Sequence, residues 1–324
     1  MNSIQVDESG GPSVLSTAAR PDPERGPDDF LVDVAAAGVN FADLAKRRGA
    51  YPGGPKPPYT PGIEVAGRVA EADAEADFAV GDRVMAYVRR GGYAERVTAD
   101  PGRTFRVPDA LSLVEAAAVP IQWLTAHNAL LEWGGLAGDD RVLVLAGAGG
   151  VGSAAVQLAD SAGAAVLATA STAEKRAFAR SLGADRAIAY ADVDLADAVE
   201  AHTGGAGVDL VLDGVGGGAF EASLNVLAPG GRVVTYGVAS GEVPSVSTTR
   251  LLFENRSVVG YHLGEAADRE PARVFGAMAD VRERIAAGAV EIHVDRTFPL
   301  AAAADAHRYV ADRRTTGAVV LETR

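Results

Sequence analysis

Residues 143–159 read LVLAGAGGVGSAAVQLA, and the architecture of the chain follows from them. An apolar strand runs directly into Gly147, Gly149 and Gly152, and a helix of small residues opens from these glycines. This is G-x-G-x-x-G in the strand-to-helix setting that a dinucleotide fingerprint requires. The first glycine makes a tight turn, the second lets the backbone approach a pyrophosphate, and the third lets the helix pack closely. Free N–H groups and the positive end of the helix dipole complete an anion site. Gly147, Ala148, Gly149, Gly150, Val151 and Gly152 are therefore the candidate phosphate cradle. Glycine is abundant, at 38 residues, so the spacing alone says little; the strand before it and the helix after it carry the reading.

Outward from this stretch, the chain from about residue 119 alternates apolar strands with helices. Strands are expected over 141–146, 165–170, 186–190, 208–213 and 232–237, and helices over 150–161 and 173–182. Continuous apolar strands alternating with helices predict a parallel sheet covered on both faces, an α/β doubly wound arrangement of the Rossmann kind. Residues 1 to about 118 have another texture. Short runs at 3–6, 30–36, 64–70, 83–87 and 93–97, parted by glycine or proline, predict an antiparallel, barrel-like β domain. The tail AHRYVADRRTTGAVVLETR offers a helix and a strand that can return to it.

Composition narrows the function classes. At 324 residues there is room for two domains, and a net charge of −13 repels nucleic acid and anionic membrane surfaces. No apolar run approaches the roughly 20 residues of a membrane helix. The segment MNSIQVDESGG lacks the basic-then-apolar order of a secretion signal, so a cytoplasmic location is expected. Cysteine is absent, which removes disulfides, thiolate nucleophiles and cysteine-based zinc sites together. None of His127, His202, His262, His293 and His307 stands at the spacing of a helical metal pair.

The second strand of the nucleotide unit selects the cofactor. An NAD site places Asp or Glu at its end, about 20 residues after the glycines. Here that end is Thr169-Ala170-Ser171-Thr172, and Lys175, one of three lysines, follows one helical turn later. A hydroxyl and an ammonium hold a 2′-phosphate that a carboxylate would repel, so NADPH is expected. The competing account is a Ser or Thr helix cap followed by a solvent-facing lysine.

Three pieces now point together: the glycine segment within 139–160, the run Gly38-Val39-Asn40-Phe41-Ala42-Asp43, and the tail Thr316-Gly317-Ala318-Val319-Val320-Leu321. The chain resembles the medium-chain dehydrogenase/reductase superfamily, specifically its zinc-free quinone oxidoreductase branch, over essentially its whole length. Asp160 departs from the basic residue usual at that position. The resemblance implies a GroES-like catalytic domain from residues 1–118 and 264–324, with an NADP-binding Rossmann domain at 119–263 between them. It implies a homodimer joined through 257–263. It further implies that Ser171, Lys175 and Tyr190 contact the adenosine phosphate, and that Thr125 and the Gly237-Val238 turn contact the cofactor.

Zinc-dependent relatives carry a Gly-His-Glu motif where this chain reads Gly62-Ile63-Glu64, and isoleucine cannot ligate a metal. Without a Lewis acid, hydride must go to a small electrophile that is already electron-poor, a quinone or an activated enone. Negative charge then grows on a carbonyl oxygen, and conjugate reduction also needs a proton at the α-carbon. By the resemblance, Asn40 lies near the nicotinamide and substrate, and Tyr51 matches the proposed proton donor of related enoyl-thioester reductases. The plainer readings are a turn residue for Asn40 and a packing residue for Tyr51. An enoyl-thioester reductase and a non-enzymatic NADPH-binding protein are the alternatives. Glu64 is expected to pair with a nearby basic group, Asp43 to hold Asn40 or Arg47 or face solvent, and Lys46, Arg47 and Arg48 to be solvated.

Overall fold

The computed structural model describes residues 1–73, 76–190 and 192–323. In chain order it begins with strands β1 (Asn2–Val6), β2 (Leu15–Ala19) and β3 (Phe30–Gly38), then helix α1 (Phe41–Arg48). Strands β4 (Glu64–Glu71), β5 (Arg83–Tyr87), β6 (Arg96–Ala99) and β7 (Thr104–Arg106) precede a short helix α2 (Leu113–Ala116). After α3 (Gln122–His127) come β8 (Arg141–Val144), α4 (Gly150–Ser161), β9 (Ala165–Thr169), α5 (Ala173–Ser181) and β10 (Arg186–Ile188). Then follow α6 (Leu195–Thr203), β11 (Val208–Asp213), α7 (Gly217–Asn225), β12 (Leu227–Thr235), α8 (Thr248–Glu254) and β13 (Ser257–Gly260). Helices α9 (Leu263–Arg269) and α10 (Pro271–Ala286), strand β14 (Val294–Pro299), helix α11 (Ala303–Ala311) and strand β15 (Ala318–Glu322) end the described chain.

Packing divides the chain into two compact units, Met1–Ile121 with Met278–Arg324, and Gln122–Ala277. The second division falls inside α10, later than the 263/264 boundary expected from sequence. The physical reason is that the first turn of α10 belongs to the inserted unit. The Asn128 side chain donates to the Val274 carbonyl, and the Arg273 guanidinium lies 4.0 Å from the centre of the Trp133 ring.

In the inserted unit the parallel strands run in the order β10-β9-β8-β11-β12-β13. The order reverses between β8 and β11, the switch point outside whose carboxyl ends α/β sheets bind ligands. The Arg141 guanidinium and backbone N–H both donate to Asp209, fixing the start of β8 against β11. Leu143, Leu167, Val211 and Val233 fill one face, joined by Phe220 of α7 and Val199 of α6.

The other unit is built on a seven-stranded sheet ordered β14-β15-β3-β4-β5-β7, with β6 also paired to β3. It is antiparallel except where β14 runs parallel to β15. Its core gathers Ile4, Phe30, Val32, Val34, Val65 and Tyr93 with Val319 and Leu321 of β15. The strand expected over 93–97 begins only at Arg96, because the buried Tyr93 N–H donates to the Pro61 carbonyl outside the ladder. Among the described residues no helix is long and apolar enough to cross a membrane.

Candidate functional site

The glycine loop is held from beneath by β9. The Thr169 hydroxyl accepts the Ala146 N–H at 3.0 Å, and the Thr169 carbonyl accepts the Gly147 N–H at 2.9 Å. This pins Ala146 at φ 52°, a left-handed conformation that a non-glycine residue adopts only when its surroundings enforce it. Each glycine of the fingerprint then has its own cause. A Cβ on Gly147 would stand 2.7 Å from the Ala168 Cβ, and one on Gly152 would stand 2.2 Å from the Ala146 carbonyl oxygen. At Gly150 the same atom would strike the Gln122 side chain at 2.3 Å. Gly149 differs: its φ is −82°, and a Cβ there would meet only the Ala146 oxygen at an ordinary 3.4 Å. The fold itself does not require glycine at this position, but a phosphate approaching the backbone would. Gly149 is also the N-cap of α4 and has no side chain to occupy the free N–H groups of the first turn. The cradle fits a pyrophosphate.

The remaining cofactor candidates lie in the same unit, and most follow strand carboxyl ends. Ser171 and Lys175 come after β9, Tyr190 after β10, and Gly237 and Val238 after β12. Ser171 is exposed, Tyr190 is 47 % exposed and Val238 is 38 % exposed. The cap of α5 is Thr172, whose hydroxyl accepts the Lys175 N–H at 3.2 Å. The capping role therefore falls on Thr172 and leaves Ser171 and the Lys175 side chain outside it. Thr125 is buried in α3, which packs on α4.

Sequence reasoning passed over Asp213, the last residue of β11. Its Oδ1 accepts the Val215 and Gly216 N–H groups at 2.7 and 2.9 Å, shaping the turn into α7. Burial pushes its carboxyl above the usual range, while those N–H groups pull it down. The available signal was an acid closing an apolar strand directly before Gly214-Val215-Gly216-Gly217.

In the sheet unit, Asn40 and Tyr51 flank α1. Asn40 is its N-cap, and the Asn40 N–H donates to Asp43 Oδ2 at 3.0 Å. Gly49, in the left-handed conformation with φ 74°, closes the helix, and Tyr51 follows. Lys46 lies 5.2 Å from the centre of the Tyr51 ring. Burial raises the Tyr51 phenol above its ordinary value, and Tyr87 and Asp43 add to the effect, so it keeps its proton at neutral pH.

Two expectations for α1 and its neighbours, those for Glu64 and Arg47, are corrected, and of the three readings of Asp43 the one in which it holds Asn40 stands. Among the described residues Glu64 pairs with no basic group: its Oε1 accepts the Asn40 amide at 2.7 Å and its Oε2 accepts the Ile121 N–H at 2.8 Å. Asp43 is neither solvated nor bonded to Arg47; besides the Asn40 N–H it accepts the Tyr93 hydroxyl at 3.2 Å. Arg47 is fully buried, with its Nη1 3.4 Å from His307 Nδ1, and His307 Nε2 lies 3.2 Å from the Tyr93 oxygen. Arg47 at one end and Asp43 at the other are thus linked through a histidine and a tyrosine. Burial, with help from Arg47 and Arg48, drives His307 down to about 3, so it stays neutral within that chain.

These features agree with comparisons to known proteins. Residues 26–109 match the family described as alcohol dehydrogenase GroES-like domain, and residues 150–280 match the one described as zinc-binding dehydrogenase. A probable quinone oxidoreductase of Schizosaccharomyces pombe is 35 % identical, covering 98 % of this chain and 96 % of its own. The human synaptic vesicle membrane protein VAT-1 homolog is 34 % identical over 96 % of this chain and 84 % of its own. The crystal structure of Escherichia coli quinone oxidoreductase complexed with NADPH superposes with a TM-score of 0.93 at 30 % identity, covering 99 % of this chain and 100 % of that one.

Zinc, named in one family description, does not fit the residues present. Among the described residues no group of three or more His, Cys, Asp or Glu side chains is placed to hold a metal ion. Ile63 is buried, and both oxygens of Glu64 already accept hydrogen bonds. With a parallel sheet of reversed order, a glycine cradle, a GroES-like sheet unit and relatives along its whole length, the chain belongs to the medium-chain dehydrogenase/reductase superfamily, in its quinone oxidoreductase-like branch.

Proposed function

We propose that this chain, an NADPH-dependent oxidoreductase, reduces electron-poor small molecules: quinones, or enones at their β-carbon. The observation that carries this reading is the donor set around Glu64. Where a zinc relative would bind metal, this chain has an isoleucine and a carboxyl already tied to Asn40 and Ile121. No side chain there can polarise an unactivated carbonyl as a Lewis acid, so the acceptor must be activated by its own conjugation. NADPH, when bound, supplies the hydride.

The chain's residues do the rest. Gly147 to Gly152 hold the pyrophosphate on the α4 amino terminus. Ser171, Lys175 and Tyr190 hold the 2′-phosphate, and Thr125, Gly237 and Val238 contact the cofactor. In this reading the inserted unit binds NADPH and the sheet unit is catalytic. Asn40 donates to the oxygen on which charge develops, and Tyr51 delivers the proton that an enone needs at its α-carbon. A cytoplasmic location is part of the same proposal.

The reading predicts NADPH oxidation with 9,10-phenanthrenequinone or a simple alkenone, and a kcat/KM for NADPH at least about tenfold above that for NADH, or ~1.4 kcal/mol. Turnover of crotonyl-CoA at higher efficiency than either acceptor would move the assignment to an enoyl-thioester reductase. The protonated phenol of Tyr51, 5.2 Å from Lys46, is the feature that favours this second reading. Tight NADPH binding with no turnover of any acceptor would make the chain a binding protein.

The partner proposed for the inserted unit is a second copy of the chain. Among the described residues β13 is the last strand of its sheet, with β12 its sole neighbour there, and an unpaired edge is a template for pairing. Leu252 and Phe253 on the preceding α8 are 71 % and 80 % exposed. Phe253→Asp is expected to shift the protein from dimer to monomer in analytical ultracentrifugation at micromolar concentration. A parent protein that sediments as a monomer would remove the proposal.

A further inference from the structure

We propose that Glu64 is a positioning residue: its protonation state decides which end of the Asn40 amide faces away from it, and so whether Asn40 turns its whole NH2 group, or its carbonyl oxygen beside one remaining N–H, toward the acceptor. The inference rests on the reading of Asn40 as the donor to the developing oxyanion. Its physical basis is how the carboxyl is clamped. Glu64 opens β4 and is 0 % exposed. Its Oε1 lies 2.7 Å from Asn40 Nδ2, and its Oε2 lies 2.8 Å from the Ile121 nitrogen. A Cβ on Gly38 would stand 2.2 Å from Oε1 and 2.7 Å from the Ala117 carbonyl oxygen, so the missing side chain makes the carboxyl's room.

No cation reaches this carboxyl among the described residues. On α1, Asp43 opposes its ionisation, Lys46 acts on Asp43, and Arg47 is bonded to His307. Tyr93, before β6, and Tyr87, paired with Glu64 across β5, present phenols. Arg68 of β4 and Arg83 of β5 donate to the Gly81 and Leu111 carbonyls. Asp33 of β3 is held by Arg96, and Glu115 of α2 is closed on Ser112. Burial pushes Glu64 up to about 8, although the Ile121 N–H and the Asn40 amide favour its charged form.

Two hydrogen-bonding arrangements follow. The ionised carboxylate has only acceptors to offer, so it takes one N–H of the Asn40 NH2 group, as in the structure, and turns the amide oxygen away beside the second N–H, where its lone pairs oppose a developing negative charge. The protonated carboxyl has a hydrogen to donate. A half-turn about the last Asn40 torsion, which has two broad, nearly equivalent wells, lets Oδ1 accept that hydrogen. The NH2 group then faces away and is available to an oxyanion. The Ile121 N–H keeps its partner in both arrangements. The arrangement that presents both N–H groups and no lone pair dominates below about pH 8 and is lost as pH rises through it.

The test is the pH profile of kcat for 9,10-phenanthrenequinone with saturating NADPH, in the parent and in Glu64→Gln. The glutamine carbonyl can accept the Ile121 N–H while its NH2 donates to Asn40 Oδ1 at every pH. The parent is expected to lose activity at least about tenfold between pH 7 and pH 9.5. In Glu64→Gln, the ratio of kcat at pH 9.5 to that at pH 7 should rise at least about tenfold over the parent ratio, with the NADPH dissociation constant unchanged. A second measurement does not depend on folding of the variant or on turnover: in parent protein 13C-labelled at glutamate carboxyls, the Glu64 resonance should titrate between pH 7 and 9, and the Asn40 side-chain NH2 signals should move with it. A flat parent profile, the same alkaline loss in Glu64→Gln, or a Glu64 resonance that titrates near pH 4 would overturn the inference. Asn40→Ala separates the two levels. Full activity in that variant removes Asn40 as donor and this inference with it, whereas an impaired Asn40→Ala beside an unchanged Glu64→Gln profile removes the inference alone.

Discussion

Gly149→Ser is expected to raise the NADPH dissociation constant on the order of 100-fold, about 2.7 kcal/mol, without lowering the melting temperature. The two halves of this expectation have different causes. The backbone at 149 has φ −82°, and the nearest atom to an added Cβ is at 3.4 Å, so a side chain enters without moving the loop. Serine is also a better N-cap than most residues, because its hydroxyl accepts an N–H of the first turn. Those same N–H groups are the ones a pyrophosphate needs, so the cap that helps the helix competes with the cofactor. Gly152→Ala gives the contrast. Its Cβ would lie 2.2 Å from the Ala146 oxygen and 2.8 Å from the Gly147 Cα, so this variant should lose stability as well, by about 1–3 kcal/mol. Fluorescence titration with NADPH, beside thermal melts of both variants, checks the pair. Parent-like NADPH affinity in Gly149→Ser would mean that this loop does not hold the phosphates.

Tyr51→Phe is expected to lower kcat for an alkenone by about 100-fold while changing quinone reduction by less than about threefold. The difference lies in where the proton goes. Conjugate reduction leaves a carbanion-like α-carbon that must be protonated inside the site, whereas a reduced quinone takes its protons on oxygen, where water serves. The raised pKa of Tyr51 keeps the donor form across the neutral range, so the parent's enone activity should show no alkaline limb assignable to this phenol below about pH 10. Phenylalanine keeps the ring beneath Lys46, so packing on the loop is preserved and loss of the hydroxyl is what the assay reads. If the variant reduces the alkenone at the parent rate, Tyr51 is a packing residue and the proton has another source.

Legibility in the sequence tracked how local the governing physics was. The helix expected over 150–161 and the strand over 208–213 stand at those bounds, because apolar periodicity and glycine turns act over a few residues. Glu64 was misread because its partners are far along the chain, one of them 24 residues away and the other 57. The latter is a backbone N–H, which leaves no mark on composition. Arg47 was misread for a related reason: three successive basic residues look like a solvated face until His307, 260 residues later, is seen to cover one of them. Ala146 was illegible in another way, since nothing in an alanine announces a positive φ that Thr169 imposes from the next strand.

The discontinuity of the sheet unit has a consequence for how the chain is made. β15 pairs with β3 in an antiparallel ladder, and His307 of α11 completes the chain of contacts that seats Arg47 of α1. Neither partner exists on the nascent polypeptide until Val294–Glu322 has been synthesised, after every strand of the inserted sheet. Domains form as their sequence emerges, so the contiguous inserted unit can mature first while the Ala36–Gly38 end of β3, beyond its pairing with β6, waits for β15. Helix α1, which carries both proposed donors at its ends, is therefore among the last parts of the molecule to be locked. The nucleotide cradle is complete before the residues that would do the chemistry are in register.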